Sequence, residues 1–143
     1  MTRWVVDASV ALKWCLPSSE EEFGQQAAHL LDSYNRGLSQ FIVPDLFWPE
    51  LANGLWKAVW KQRIDRPWAE KAYSRVADLE IPTAASFPFV REAMGMAVAN
   101  NRTVYDSLYV ALAVQSQSEL ITADERLANA LAARFPVKWL GAF

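Results

Sequence analysis

The chain has little of the side-chain chemistry on which many enzymes depend. It contains one cysteine, Cys15, and one histidine, His29, in 143 residues. A single cysteine excludes an internal disulfide and a cysteine-based zinc site, and we expect Cys15 to be a small buried hydrophobic residue. His29 lies in the helical stretch QQAAHLLDSY, far in sequence from any group of acids. A Ser-His-Asp or Cys-His catalytic arrangement is therefore not indicated.

Glycine, long apolar runs and excess positive charge are also scarce. The five glycines never form GxGxxG, which argues against a nucleotide-binding oxidoreductase. No apolar run approaches the roughly 20 residues of a membrane span, and the N-terminus MTRWVVDASV is a poor signal peptide. We expect a cytoplasmic protein with no membrane partner. The net charge of −2 gives no global attraction to nucleic acid, so a polyanionic substrate needs a local basic patch or a metal.

Length and hydrophobic patterning indicate one compact α/β domain. The hydrophobic content is 52%, and the length suits a single domain over residues 1–143. Strand-like and helix-like segments alternate, which predicts an α/β sandwich around a parallel sheet. The predicted strands cover residues 3–7, 41–43, 81–84, 120–122 and 137–140. The predicted helices cover residues 8–16, 18–36, 45–63, 66–79, 88–100, 103–117 and 124–135.

Four acidic residues occur where a strand-like run gives way to a helix-like one. They are Asp7 in RWVVDASVAL, Glu50 in IVPDLFWPELANGL, Asp106 in NRTVYDSLYVALA and Asp124 in ELITADERLANAL. Parallel strands bring their carboxyl ends to one edge of the sheet, where ligands bind in open α/β folds. We therefore expect these four residues, here called the acidic edge, to be neighbours.

The repulsion within such a group predicts a bound cation. Two carboxylates about 5 Å apart repel by roughly 3 kcal/mol at an effective dielectric near 20. Either some of the acids hold protons at a raised pKa or divalent cations neutralise them. An all-oxygen site without His or Cys suits Mg²⁺ or Mn²⁺, so the cation is the interpretation we favour.

Helix capping is the alternative explanation for each acid alone. Asp7 and Asp124 stand where helix N-caps are expected, and Glu50 is a first-turn acid after Pro49. Asp106 is harder to explain in this way, because its helix YDSLYVALA is otherwise apolar. The common position of all four at the end of a strand-to-helix unit favours a shared site.

Four segments resemble the signature segments of PIN domains, most of all those of the VapC toxin subgroup of toxin-antitoxin pairs. They are VVDASVALKW, PELANGLWKA, YDSLYVALA and LITADERL. The resemblance implies a three-layer α/β/α sandwich with a central parallel sheet of about four to five strands. It also implies that Asp7, Glu50, Asp106 and Asp124 are the catalytic and metal-binding carboxylates of a Mg²⁺- or Mn²⁺-dependent endoribonuclease. Ser9 and Thr122 match polar positions that support those acids.

The resemblance also implies partners. The substrate would be RNA, either transfer RNA or another structured RNA, and a cognate antitoxin would inhibit the enzyme. A homodimer is expected, with a hydrophobic groove that takes a helix of the antitoxin.

RNA binding requires positive charge beyond the metal. Lys13, Lys57 and Arg126 follow the acidic motifs within about two helical turns, so they are candidate contacts to the phosphate backbone. Ordinary exposed helix charges explain them equally well. Arg102 and Arg91 are weaker candidates.

Seven tryptophans are more than a small core requires. Trp56 and Trp60 are four residues apart on one side of a predicted helix, and we expect Trp14 and Trp48 to lie nearby. Core packing is the default explanation. The alternatives are an exposed groove that binds the antitoxin and a surface on which RNA bases stack.

Two other functions compete with the nuclease. One is a non-catalytic, PIN-like protein-binding module in which the acids only cap helices. The other is a receiver-like phosphoacceptor domain, which requires an adjacent pair of acids after the first strand and a lysine after the last. Val6 and Asp7 are not such a pair, and Lys138 lies inside a predicted strand.

Overall fold

The centre of the structure, a computed structural model describing residues 1–143, is a parallel sheet of five strands. The strands are β1 (Thr2–Val6), β2 (Ser39–Pro44), β3 (Thr83–Ala84), β4 (Glu119–Thr122) and β5 (Val137–Trp139). Their order is β3-β2-β1-β4-β5, and every neighbouring pair is parallel. The fold class and the strand number agree with the sequence prediction.

Seven α-helices flank the sheet. They are α1 (Ala8–Cys15), α2 (Gly24–Asn35), α3 (Phe47–Trp60), α4 (Arg66–Ala77), α5 (Val90–Asn100), α6 (Val104–Gln115) and α7 (Glu125–Leu131). Helix α1 packs against α2, α3 and α4, whereas α5 packs against α6, which lies across β1, β2 and β4. None of these helices combines the length and the apolar character that crossing a membrane requires.

The strand order creates a crevice between β1 and β4. The chain moves from β1 to β2 and β3 in one direction, and then continues on the other side of β1 with β4 and β5. Because crossovers between parallel strands are right-handed, this reversal puts α1–α4 on one face and α5–α7 on the other. The connections that follow β1 and β4 therefore diverge, and ligands bind where they part.

The core is centred on β1 and β4. Val5, Val6, Leu120 and Ile121 have no exposed surface, as expected of strands covered by helices on both faces. Cys15 is also buried, as predicted, and its burial raises the pKa of the thiol to about 11.

Two helix boundaries differ from the prediction by four residues or more. Helix α2 begins at Gly24 rather than near residue 18, because Phe23 has a left-handed backbone (φ 59°) and Ser18–Glu20 forms a single 3₁₀ turn. A side chain at position 24 would lie 2.9 Å from the Ser18 carbonyl oxygen, so the turn requires glycine. Helix α7 ends at Leu131 rather than Phe135. The chain continues in turns after Leu131, with the Arg134 and Phe135 amides both donating to the Leu131 carbonyl, and the residue before Pro136 disfavours the helical conformation.

Candidate metal centre at the acidic edge

Asp7 joins the ends of β1 and β4. Its backbone amide donates to the Ile121 carbonyl at 3.1 Å, which extends the strand pairing by one residue. Its Oδ2 accepts hydrogen bonds from the hydroxyls of Ser9 and Thr122, both at 2.7 Å. Asp7 stands at the N-cap position of α1 but makes no side-chain capping bond. Helix capping therefore does not account for this carboxylate.

The two hydroxyl groups that bind Asp7 are themselves fixed by backbone amides. The Ser9 hydroxyl accepts from the Ala123 amide at 3.1 Å, and that of Thr122 accepts from the Asp124 amide at 3.0 Å. Since these amides donate to the oxygens, the hydroxyl protons are left to point at Asp7. The loop after β4 thereby orients the carboxylate that follows β1.

Glu50 reaches the same region from the first turn of α3. The Tyr109 hydroxyl, on α6, donates to Glu50 Oε1 at 2.6 Å and accepts from the Ala8 amide at 3.4 Å. Tyr109 is buried, and its burial together with the charges of Asp7 and Glu50 raises its pKa well above the ordinary value. The phenol therefore remains a hydrogen-bond donor that connects α6, α3 and the start of α1.

Asp106 and Asp124 are linked by Arg102. The guanidinium Nη2 lies 3.3 Å from Asp106 Oδ2 and 3.7 Å from Asp124 Oδ2. Asp124 Oδ1 accepts from the Leu127 amide at 3.1 Å and caps α7. The capping explanation thus holds for one oxygen of Asp124, and α6 is capped by Thr103 instead of an acid.

The pKa shifts indicate that the carboxylates influence one another. Burial is the largest cause of the raised pKa of Asp7; hydrogen bonds from Thr122 and Ser9 oppose it, and the charges of Asp106 and Asp124 add to it. Burial likewise raises the pKa of Glu50, against the hydrogen bond from Tyr109 and with contributions from Asp7 and Asp106. All four acids therefore belong to one electrostatic environment.

The donor atoms at the acidic edge suit a hard cation. They are carboxylate and hydroxyl oxygens, the ligands that Mg²⁺ and Mn²⁺ take, without a nitrogen or sulfur donor. No three acidic side chains converge on one ion position in this arrangement. The donor chemistry fits, and reorientation of side chains is needed to bring three of these oxygens onto one ion. Arg102 already lies against two of the carboxylates.

The three predicted RNA-binding residues have different surroundings. Lys13 is only 14% exposed and pairs with Glu21 at 3.7 Å, whereas Lys57 and Arg126 are exposed. None of the three forms an ion pair with the acidic edge, and Arg102 is the cation that does. Sequence reasoning did not predict this contact, although the position of Arg102 four residues before Asp106 is a usable signal for an ion pair.

The four predicted groove tryptophans have different surroundings. Trp14 stacks on Phe41, and Trp48 packs edge-on against Phe47. Trp56 and Trp60 are 58% and 71% exposed on α3. Helical spacing put Trp56 and Trp60 on one side of a helix, and both are exposed there, whereas core packing was the default expectation.

A groove of about 940 Å³ does lie between α1, α2 and α4. Of the four predicted tryptophans only Trp14 lines it, together with Leu31, Trp68 and Val76. Sequence reasoning missed Trp68, whose indole NH donates to the Cys15 carbonyl at 2.7 Å. It also missed Tyr109, three residues after Asp106 and so on a neighbouring part of the same helix.

The receiver-like alternative lacks its lysine. The Lys138 ammonium lies 5.8 Å from the ring centroid of Trp4 and 5.6 Å from that of Phe143. It forms cation-π contacts there and no ion pair with the acidic edge.

Fold and site together define a class of protein: a parallel α/β domain with carboxylates gathered where the strand order reverses. The model of the PIN domain family matches residues 4–131, and the chain belongs to that family. A VapC ribonuclease of Mycobacterium bovis and ribonuclease VapC9 of Mycobacterium tuberculosis are each 31% identical to it over 136 residues. Each alignment covers 93% of this chain and 94% of the relative.

Two solved structures share the fold. PAE2754 from Pyrobaculum aerophilum has a TM-score of 0.73 and 21% identity, over 99% of this chain and 85% of that one. VapBC2 from Rickettsia felis, bound to a DNA fragment from its promoter, has a TM-score of 0.61 and 9% identity, over 96% and 98% of the two chains. At these identities the likeness concerns the fold alone.

Replacing Asp7 by Asn should stabilise the metal-free protein at neutral pH. The native pKa of Asp7 is raised above its ordinary value of 3.8, so the ionised carboxylate opposes folding. Asp7→Asn should increase the free energy of unfolding at pH 7, by about 1.4 kcal/mol for each unit by which the pKa is raised. The native carboxyl binds its proton more tightly than the unfolded one, so wild-type stability rises as pH falls through the raised pKa, and the difference between the proteins shrinks there. Urea unfolding of both proteins, with chelator and between pH 7 and pH 4, measures the difference in their free energies of unfolding.

Asp45→Asn is the matched control, for which the expected change in stability has the opposite sign. Hydrogen bonds from the Ser86 hydroxyl and amide lower the pKa of Asp45, so its removal should reduce stability at pH 7. That loss should still be present at pH 4 and should disappear only at lower pH, as pH falls through the depressed pKa. A loss of stability in Asp7→Asn at pH 7 would contradict the electrostatic account of the acidic edge.

Tyr109→Phe should destabilise the fold by about 1 to 3 kcal/mol, because the buried Ala8 amide loses its acceptor. It should also raise the pKa of Glu50, which loses the hydrogen bond that opposes the effect of burial. Urea unfolding measures the first change, and NMR titration of the Glu50 carboxyl measures the second. Tyr105→Phe, at an exposed position on the same helix, should change neither. An unaltered Glu50 pKa in Tyr109→Phe would show that this hydroxyl does not control the carboxylate.

Proposed function

We propose that the protein is a metal-dependent endoribonuclease that acts as the toxin of a toxin-antitoxin pair and hydrolyses RNA phosphodiester bonds. The observation that carries the proposal is the buried junction at Asp7, where two oriented hydroxyls hold a carboxylate beside three other acids. Folding opposes this arrangement of charge, so a ligand that neutralises it accounts for its presence. The VapC relatives named above are ribonucleases, which supports the same reaction.

Each site residue has a distinct role in this proposal. Asp7, Glu50, Asp106 and Asp124 hold Mg²⁺ or Mn²⁺. Ser9 and Thr122 fix the orientation of Asp7, and Tyr109 fixes that of Glu50. When bound, the metal supplies a water nucleophile at neutral pH and stabilises charge on the leaving oxygen. No side-chain nucleophile is then required.

RNA would approach the acidic edge from the open side of the crevice. Lys57 and Arg126 are exposed and remain the proposed contacts to its phosphates. Lys13 remains a proposed contact as well, although it would have to leave Glu21 first. A transfer RNA or another structured RNA is the proposed substrate.

The groove between α1, α2 and α4 is the proposed binding site for a helix of the antitoxin. Apolar side chains form its floor, including Trp14, Leu31 and Trp68, and large aromatic side chains are frequent binding hot spots. The fold is shared with VapBC2 from Rickettsia felis, a member of the toxin-antitoxin class, which supports a protein partner.

A homodimer is also proposed. The exposed face of α5 carries Val90, Met94 and Val98 at helical spacing, with exposures of 42%, 55% and 82%. An apolar stripe of this kind offers a surface for a second copy of the chain.

Asp106→Asn should reduce RNA cleavage by about 10²-fold or more, because metal-held charge is worth several kcal/mol in the transition state and each 1.36 kcal/mol is a factor of ten. Chelator should abolish cleavage by the wild type, and millimolar Mn²⁺ should restore it. Gel analysis of a structured RNA measures the rates. Asp78→Asn, at an exposed acid at the end of α4, is the control and should retain activity.

Cleavage that survives both chelator and Asp106→Asn would overturn the metal-dependent mechanism. A wild type that cleaves no RNA under any of these conditions, yet binds an antitoxin, would support the non-catalytic binding module instead.

Trp68→Ala should weaken binding of the cognate antitoxin by at least about tenfold, since truncating a hot-spot aromatic costs 2 kcal/mol or more. Trp60→Ala removes an even more exposed indole outside this groove and should leave the affinity unchanged. Calorimetric titration of the antitoxin into both variants shows which of the two surfaces binds it. A loss confined to Trp60→Ala would move the antitoxin site to α3.

A further inference from the structure

Arg102 stands between α5 and α6 and points its side chain at the acidic edge. Helix α5 ends at Asn100, the next residue Asn101 has a left-handed backbone (φ 53°), and the Arg102 amide donates to the Ala97 carbonyl at 3.2 Å. This turn places the guanidinium between α6 and the loop before α7. Its Nη2 contacts Asp106 Oδ2 at 3.3 Å and Asp124 Oδ2 at 3.7 Å.

The hydrogen bonding of this guanidinium is incomplete. Its Nε is buried and has no hydrogen-bond partner, although an arginine side chain carries five N–H donors. The Arg66 side chain, by contrast, uses its Nε to bind Glu70 at 2.8 Å. A buried unpaired donor is unfavourable, and the polar contacts that the guanidinium does make are those to the two carboxylates.

The oxygens that contact Arg102 belong to two of the carboxylates proposed to bind the cation. Asp124 Oδ1 is committed to capping α7, which leaves Oδ2 for an external ligand. That Oδ2, like Asp106 Oδ2, faces Arg102. A divalent ion bound by these oxygens would meet a positive charge within a few ångströms, so the ion and Arg102 compete for the same position.

We propose that Arg102 is a positioning residue that serves as the internal counter-ion of the metal-free acidic edge, holding Asp106 and Asp124 and releasing them when a divalent cation binds. This inference rests on the metal site of the proposed function. Arg102 thereby stabilises the metal-free protein and weakens its affinity for the metal.

Calorimetric titration of Mn²⁺ alone into the wild type and Arg102 variants tests the competition. Arg102→Gln should bind Mn²⁺ about tenfold more tightly, because the competing charge is gone. Arg102→Lys keeps the charge and should stay within about threefold of the wild type. Arg66→Gln, which removes an exposed Arg-Glu pair on α4, is the control and should not change the affinity.

Thermal unfolding gives a second readout that is independent of catalysis. Metal-free Arg102→Gln should melt below the wild type, since Asp106 and Asp124 lose their counter-ion. Millimolar Mn²⁺ should then raise the melting temperature of Arg102→Gln more than that of the wild type, because tighter binding stabilises the native state more. If Arg102→Gln does not fold, Arg102→Met retains the apolar stem and carries the same test.

The outcomes separate this inference from the proposed function. Unchanged or weaker Mn²⁺ binding by Arg102→Gln, with binding still abolished by Asp106→Asn, would overturn the counter-ion role and leave the metal site intact. Absence of Mn²⁺ binding in both the wild type and Arg102→Gln would overturn the metal site and the counter-ion role together.

Discussion

The pairing of β1 with β4 is the constraint on which the acidic edge depends. The register places Val6 opposite Ile121, so the next residues, Asp7 and Thr122, meet at the ends of their strands. A shift by one residue would turn the side chains of one strand to the opposite face of the sheet. Asp7 would then lose the hydrogen bond from the Thr122 hydroxyl, and the orientation of its carboxylate would no longer be fixed. The register is secured by four core residues without exposed surface, Val5, Val6, Leu120 and Ile121.

This buried centre of the sheet offsets an edge that opposes folding. Burial and mutual repulsion raise the pKa values of Asp7 and Glu50. The ionised form of each carboxylate is therefore less stable in the folded protein than in the unfolded chain. Such unfavourable charge persists only where the surrounding structure fixes it, and it is concentrated at functional sites. Here the fixing groups are neutral donors, the hydroxyls of Ser9, Thr122 and Tyr109. They orient the carboxylates while leaving their charge for a ligand.

The sequence predicted the sheet, the strand number and the region where the acids gather, because the ends of parallel strands converge regardless of loop detail. It did not predict what lies between the acids. The position of Arg102 depends on the left-handed Asn101 between two helices, and that of Tyr109 on how α6 packs against the start of α1. The tryptophans illustrate the same limit. Periodicity put Trp56 and Trp60 on one face, but only the packing of α1, α2 and α4 reveals the groove shared by Trp14 and Trp68.

Charge balance ties metal binding to RNA binding. The chain has a net charge of −2, and the crevice that would receive a polyanion carries four carboxylates against one paired guanidinium. A phosphate brought to this edge without a cation would be repelled by the groups that are proposed to act on it. The metal would therefore serve two purposes, because it neutralises the edge before RNA arrives and supplies the reaction chemistry afterwards. With only Lys13, Lys57 and Arg126 as proposed phosphate contacts, binding would release few counter-ions and depend weakly on salt. Recognition would then rest on the shape of the RNA rather than on its charge.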